Sequence, residues 1–160
     1  MQLVDAPVPE PQASDALAKV RFSGVNFIDT YLRDGHYRAE LPFIKGEEGA
    51  GVVERVGAEV RDLKAGDAVV RRGVMGSYGE YAAVPAGEAG KNSRRAQSDA
   101  GRCGDAAGMT AHYLSHSTSA LEAADTALVH PAAGGVGLPT EQMASQIGAQ
   151  VIATVSTAEK

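Results

Sequence analysis

Tryptophan is absent from the 160-residue sequence, and cysteine occurs once, as Cys103. A single thiol closes no internal disulfide and supplies no cysteine-based zinc cage, which points to a reducing compartment. Long apolar runs are missing as well. Nothing approaches the roughly 20 consecutive apolar residues of a membrane-spanning helix. The first dozen residues hold Asp5, Glu10 and the prolines Pro7, Pro9 and Pro11, with neither the basic start nor the apolar centre of a secretory signal. These absences point to the cytoplasm, with no membrane partner. An excess of positive charge is lacking too. The formal net charge is −5, which disfavours nucleic acid as a partner, and the short cluster of Lys91, Arg94, Arg95 and Arg102 does not reverse that balance.

What the chain does hold is glycine, 19 residues of it, and enough apolar side chains for a packed core. Residues 1–15 read as an extended lead-in. From Leu17 to Phe22 apolar and polar side chains alternate, which predicts a strand ended by Gly24. Asn26 to Arg33 predicts one or two helical turns with Asn26 as cap, and Asp34-Gly35 a turn. From Gly46 the pattern is β. A short apolar strand lies between Gly49 and Gly57, a turn at Lys64–Asp67, a strand over Ala68–Val70, a loop over Gly73–Gly79, and a strand over Tyr81–Val84 ended by Pro85. Short strands at this spacing predict a small, strongly bent barrel-like sheet. Residues 86–108 carry almost no large apolar side chain and read as a flexible linker on composition alone. Beyond them come a helix over Met109–Ser119, with Met109, Tyr113 and Leu114 on one side, and a buried strand over Thr126–His130. A helix over Leu138–Ile147, ended by Gly148, and a second apolar strand over Val151–Val155 follow.

Between the last two strands lies Pro131-Ala132-Ala133-Gly134-Gly135-Val136-Gly137, opening a helix. The whole stretch is about 30 residues, the size of a βαβ crossover. Glycine in such a turn lets backbone approach a pyrophosphate, and the free N–H groups of a helix start favour its charge. The pattern is Ala132-x-Gly134-x-x-Gly137, with alanine in the first glycine position. A glycine cluster alone is a weak signal, and most are ordinary loops. The flanking strands and helix turn this one into a dinucleotide site. An NAD-preferring site places Asp or Glu after the second strand. Here Ser156, Thr157 and Lys160 stand there, and their hydroxyls and ammonium suit a 2′-phosphate, hence NADPH. Glu159 works against that preference, and Lys160 alone is equally a solvated surface lysine.

Asn26-Phe27-Ile28-Asp29-Thr30-Tyr31, the run GEEGAGVVERVG (46–57), Lys64-Ala65-Gly66-Asp67, GMTAHYL (108–114), HPAAGGVGL (130–138) and VIATVST (151–157) occur in one order. Together they resemble the NADPH:quinone oxidoreductases, the zeta-crystallin-like, zinc-independent branch of the medium-chain dehydrogenase/reductases. The resemblance implies an α/β fold with β. A GroES-like bent β-barrel domain would span 1–105, followed over 106–160 by the first βαβ unit of a Rossmann fold, incomplete. It implies reduction of a small quinone or enone by hydride or electron transfer from NADPH, and homodimers in full-length relatives. It places the catalytic pair Asn26 and Tyr31 at the nicotinamide and substrate, and Thr110 near the nicotinamide amide. Ala133, Gly134, Gly135, Val136 and Gly137 would hold the pyrophosphate, and Ser156, Thr157 and Lys160 the 2′-phosphate. The tyrosine phenol can bond a carbonyl that gains negative charge, and Asn26 can donate to the same oxygen or orient the tyrosine. The plainer alternatives are a helix cap and a half-buried aromatic.

Zinc-dependent relatives use a cysteine early in the chain and a histidine before the glutamate of the Gly-x-Glu run. Here Asn26–Tyr31 contains no cysteine and Glu47 takes the histidine's place. His36, His112, His116 and His130 lack metal-ligand spacing, so no metal is expected. Residues 87–107 keep the family's length but not its apolar content, which suggests a pair of compensating reading-frame shifts. The chain also stops just after the second Rossmann strand, so it reads as an N-terminal fragment of marginal stability or dependent on a partner chain. The alternatives are a truncated member that no longer turns over and an alcohol or enone reductase of the same superfamily. A structural or RNA-binding role is a further alternative, and the acidic charge disfavours RNA.

Overall fold

The computed structural model describes residues 1–73, 75–91 and 105–159. It separates into two compact units, Met1–Asp105 and Ala106–Lys160.

The first unit is built on five strands: β1 (Asp15–Gly24), β2 (Glu48–Val56), β3 (Ala68–Arg72), β4 (Tyr81–Pro85) and β5 (Ala89–Lys91), with helix α1 (Phe27–Asp34) between β1 and β2. They form one antiparallel sheet in the order β4-β1-β2-β3-β5. The register of β1 on β2 slips between Leu17 and Ala18 and again between Val20 and Phe22. Such irregularities bend and twist a strand, which curls the sheet. Ala16, Ala18, Val53, Leu63 and Val69 pack together, with Val56, Val60, Ala86 and Ala89 around them. Three consecutive residues of β1, Ala16 to Ala18, are buried, so both faces of this central strand are covered there. At Gly51 β2 lies so near the Lys19 carbonyl that any Cβ would collide with backbone.

Helix α1 starts after the extended Asn26 and ends where Gly35, at φ 78°, turns its N–H back to the Tyr31 carbonyl. Its only buried residue is Asp29. An ordinary surface helix turns an apolar stripe inward. This one turns an acid inward and leaves Phe27 and Tyr31 exposed.

The second unit holds α2 (Asp105–His112), which runs into a wider π-helical turn over Tyr113–Thr118, then β6 (Thr126–Val129), α3 (Gly137–Ile147) and β7 (Gln150–Ala153). The strands pair in parallel, Thr126 beside Gln150 through Val129 beside Ala153, and α3 packs on both. Ser115, buried in the π turn, donates to the Ala111 carbonyl at 2.7 Å and approaches Met143 of α3 at 3.7 Å.

Three expectations change. The supposed linker over 86–108 is ordered at both ends. Ala86–Glu88 forms a 3₁₀ turn, Ala89–Lys91 pairs with β3, and α2 begins at Asp105. Ladder bonds use backbone, so poor apolar content did not prevent pairing. Residues 92–104 of that run, and with them most of the suggested frame shift, lie outside the described residues. Next, the strands expected to be buried are half-bare. Only Val129 is buried, while Leu128 is 59% and Ile152 50% exposed, because α3 covers one face of the pair. Last, Met109, Tyr113 and Leu114 are exposed, and the buried residues of their segment are Ala106, Ala111 and Ser115. No helix among the described residues is long and apolar enough to cross a membrane.

Candidate functional site

The site residues of the first unit gather around α1. The Asp29 carboxylate accepts the Asn26 backbone N–H at 2.9 Å, and the Asn26 carbonyl accepts that of Asp29 at 3.0 Å. This closes the helix start at the backbone. The Asn26 side chain also bonds outside the helix, where Nδ2 donates to Glu48 Oε2 at 2.8 Å. Glu48 is the first residue of β2 and only 5% exposed. Behind the helix, Tyr78 donates its hydroxyl to Asp29 Oδ2 at 3.0 Å, and Lys45 Nζ donates to the Asp29 carbonyl. Burial, helped by the Asp29 carboxylate, pushes the Tyr78 phenol up to about 12. The loop carrying Tyr78 is itself docked, since Ser77 and Tyr78 donate backbone N–H groups to Gly46 and Lys45 at 3.0 Å each. Gly46 adopts φ 92°, and a Cβ there would collide with Ser77 and Tyr78, so glycine is required on both counts.

Tyr31 stands five residues after Asn26, near the other end of α1. Its ring meets Phe27 at 5.3 Å and Tyr37 at 5.6 Å edge-on, and His36 at 5.7 Å. It belongs to an exposed aromatic group, not to the core. The structure therefore ties Asn26 to Glu48 and Tyr31 to its aromatic neighbours.

The second unit carries the glycine turn. The Ala132 N–H donates to the Thr154 carbonyl at 2.9 Å, and His130 Nδ1 lies 2.6 Å from Thr154 Oγ1, so the turn is fastened to the end of β7. Gly134 donates to the Pro131 carbonyl at 2.9 Å and accepts from Leu138 at 3.0 Å. A Cβ at Gly137 would lie 2.5 Å from the carbonyls of both Pro131 and Ala132, whereas one at Gly135 would meet nothing within 4 Å. The third glycine thus serves close packing, and the middle one borders open space. The backbone N–H groups of Gly135, Val136 and Gly137 have no acceptor among the described residues. Three such donors at the start of an 11-residue helix, beside open space, fit a phosphate.

The remaining expected residues fit less evenly. Thr110 donates its hydroxyl to the Ala106 carbonyl at 2.7 Å, within its own helix. Ser156 and Thr157 lie exposed beyond β7. The Thr157 hydroxyl bonds the Glu159 carboxylate and holds it below the usual range. Lys160 lies outside the described residues. His112 and His116 stack at 4.3 Å, and no group of three metal-binding side chains occurs among the described residues.

Sequence reasoning missed Glu48, Tyr78 and Arg71. Glu48 had one signal, a glycine at position 24 facing it across the sheet. Arg71 had none. It is 5% exposed, and Nη2 reaches the Gly46 carbonyl at 3.4 Å while Nε and Nη1 have no partner among the described residues. Burial pushes its guanidinium down to about 10.

Residues 12–125 match the alcohol dehydrogenase GroES-like domain family. The chain is 40% identical over its full length to a probable quinone oxidoreductase of Schizosaccharomyces pombe, covering 49% of that protein. It is 35% identical to quinone oxidoreductase 1 of Escherichia coli, covering 50% of it. The chain spans about half the length of the curated relatives it matches. Among solved structures, Escherichia coli quinone oxidoreductase complexed with NADPH superposes with TM-score 0.92 at 35% identity, over 98% of this chain and 48% of that one. A mycobacterial structure complexed with NADPH gives TM-score 0.90 at 43% identity, over 98% and 49%.

Proposed function

The chain belongs to the alcohol dehydrogenase GroES-like domain family, and from that membership we propose that it serves NADPH-dependent reduction of quinones or related conjugated carbonyls. The glycine turn carries the proposal. Its middle glycine faces open space, and three N–H groups there lack acceptors among the described residues. We assign residues 1–105 to the substrate and 106–160 to the cofactor, a division supported by the two compact units. Bound NADPH would supply the hydride or electrons, which no side chain of the protein can.

The protein's part is to bind and orient. The N–H groups of Gly135, Val136 and Gly137 would hold the pyrophosphate, with Ala133 and Gly134 shaping the turn. Ser156, with Thr157 and Lys160, would take the 2′-phosphate. Thr110 would lie at the nicotinamide amide. Asn26 would lie at the nicotinamide and substrate, with Tyr31 offering its phenol to the acceptor carbonyl. Hydrogen bonds to an oxygen that gains charge count most in the transition state.

NADPH titration followed by nucleotide fluorescence, beside a quinone-reduction assay, tests this. Saturable binding with turnover supports the proposal. Absence of binding overturns it. Binding without turnover would favour a second possibility, a chain that holds cofactor without catalysis. Sedimentation of the same sample tests whether the chain forms a homodimer.

A further inference from the structure

Beside Asn26, whose proposed place at the ligand this inference rests on, stands a carboxylate that the proposed function does not use. Glu48 opens β2 directly opposite Gly24, the last residue of β1. It is buried, yet it accepts from Asn26 Nδ2 at 2.8 Å. A carboxylate offers only acceptors, so it selects which end of the asparagine amide faces it. Nδ2 then keeps one further N–H. The Asn26 backbone is held separately, by Asp29 at 2.9 Å. The helix start therefore has its own closure through Asp29, and the Glu48 bond is made to the Nδ2 end of the side chain.

Gly24 is an independent sign of the same arrangement. A Cβ there would lie 2.7 Å from Glu48 Cδ and closer still to Oε2. The Gly24 backbone is not among the positive-φ glycines, so conformation gives no other reason for the residue. What glycine provides at this position is room for the carboxylate.

We propose that Glu48 is the positioning residue for Asn26. It holds the amide in one of its two orientations and leaves the second Nδ2 hydrogen as a donor to a carbonyl oxygen of the bound ligand. Both the nicotinamide carboxamide and the acceptor carry such an oxygen.

The test uses the whole chain with Glu48→Gln, Gly24→Ala and the double variant, circular dichroism confirming the fold of each. The Asn26 side-chain amide is followed by nitrogen-15 NMR. Both single variants should shift its resonances and speed its hydrogen exchange. NADPH affinity should fall about tenfold, the worth of one hydrogen bond, and the double variant should be no weaker than either single one. Affinity for 2′-phospho-ADP-ribose, which lacks the nicotinamide, should stay within about twofold, since the lost bond is not made to that part of the cofactor. Unchanged NADPH affinity, with loss of the shift that 1,4-benzoquinone induces at Asn26, would assign the acceptor carbonyl instead. Amide resonances unchanged in Glu48→Gln, or equal weakening of both nucleotides, overturn the proposal. A wild-type chain that binds no NADPH refutes the proposed function, and the amide resonances then decide the positioning role by themselves.

Discussion

Gly135 and Gly137 stand two residues apart and answer to different demands. At Gly137 the added Cβ would press on two backbone carbonyls at 2.5 Å, which cannot yield as a side chain can. Gly137→Ala should cost about 1–3 kcal/mol of stability, the range for overpacking, measured by urea denaturation. Gly135→Ala meets open space and should leave stability unchanged or raised by about 0.4–1 kcal/mol, while NADPH binding weakens because the methyl fills the space the phosphate needs. Equal stability loss in the two variants would contradict this assignment. Glu159 offers a charge test. Glu159→Ala frees the Thr157 hydroxyl and removes a negative charge, so NADPH should bind a few-fold tighter in low salt with NADH unaffected. Tyr78 gives the pH dependence. Its folded phenol is raised to about 12 from 10.0, so its contribution is complete below pH 10 and is lost as pH climbs through 12. In an absorbance titration one of the five tyrosines should ionise last, and Tyr78→Phe should abolish that late step. Simultaneous ionisation of all five near pH 10 would contradict it.

Among the elements, β3 carries the least expected feature, the Arg71 guanidinium, which has no counter-charge among the described residues and lies beside Ala50, Val69, Ala82 and Val84. A buried charge without a counter-charge costs more than an apolar side chain of similar volume. Arg71→Met should therefore raise the stability of the first unit by about 1–4 kcal/mol in chemical denaturation, and a loss would show that the guanidinium has a partner in solution. Most elements were legible in the sequence because their signals are local. Alternation announced β1, the Asn26 cap and Gly35 bounded α1, and the glycine turn with its flanks announced the β6–α3–β7 unit. What the sequence hid is what depends on distant partners. β5 pairs through its backbone, which composition does not report. Glu48, Tyr78 and Arg71 matter through residues 22, 49 and 25 positions away, at separations where no periodicity operates. The exposure of Leu128 and Ile152 was also hidden, since an apolar strand signals that it can be covered, not that it is.

For the whole molecule, that exposure predicts an asymmetry. Replacing Leu128 and Ile152 together by threonine should change the unfolding free energy by within about 0.5 kcal/mol, as for surface positions. Val129→Ala removes buried methyl groups and should cost about 0.5–1.5 kcal/mol or more. Thermal melts of the two variants decide it, and a large loss in the threonine pair would mean that those side chains are covered in solution. Among the described residues the second unit's sheet consists of β6 and β7. Among these residues each strand keeps one row of backbone donors and acceptors without a ladder partner, beneath an apolar face. Such a row is a template that another copy can extend. Dilution then becomes a condition of handling. Light scattering at rising protein concentration should show clustering that the threonine pair delays, and a refolding yield that falls as the chain crowds itself.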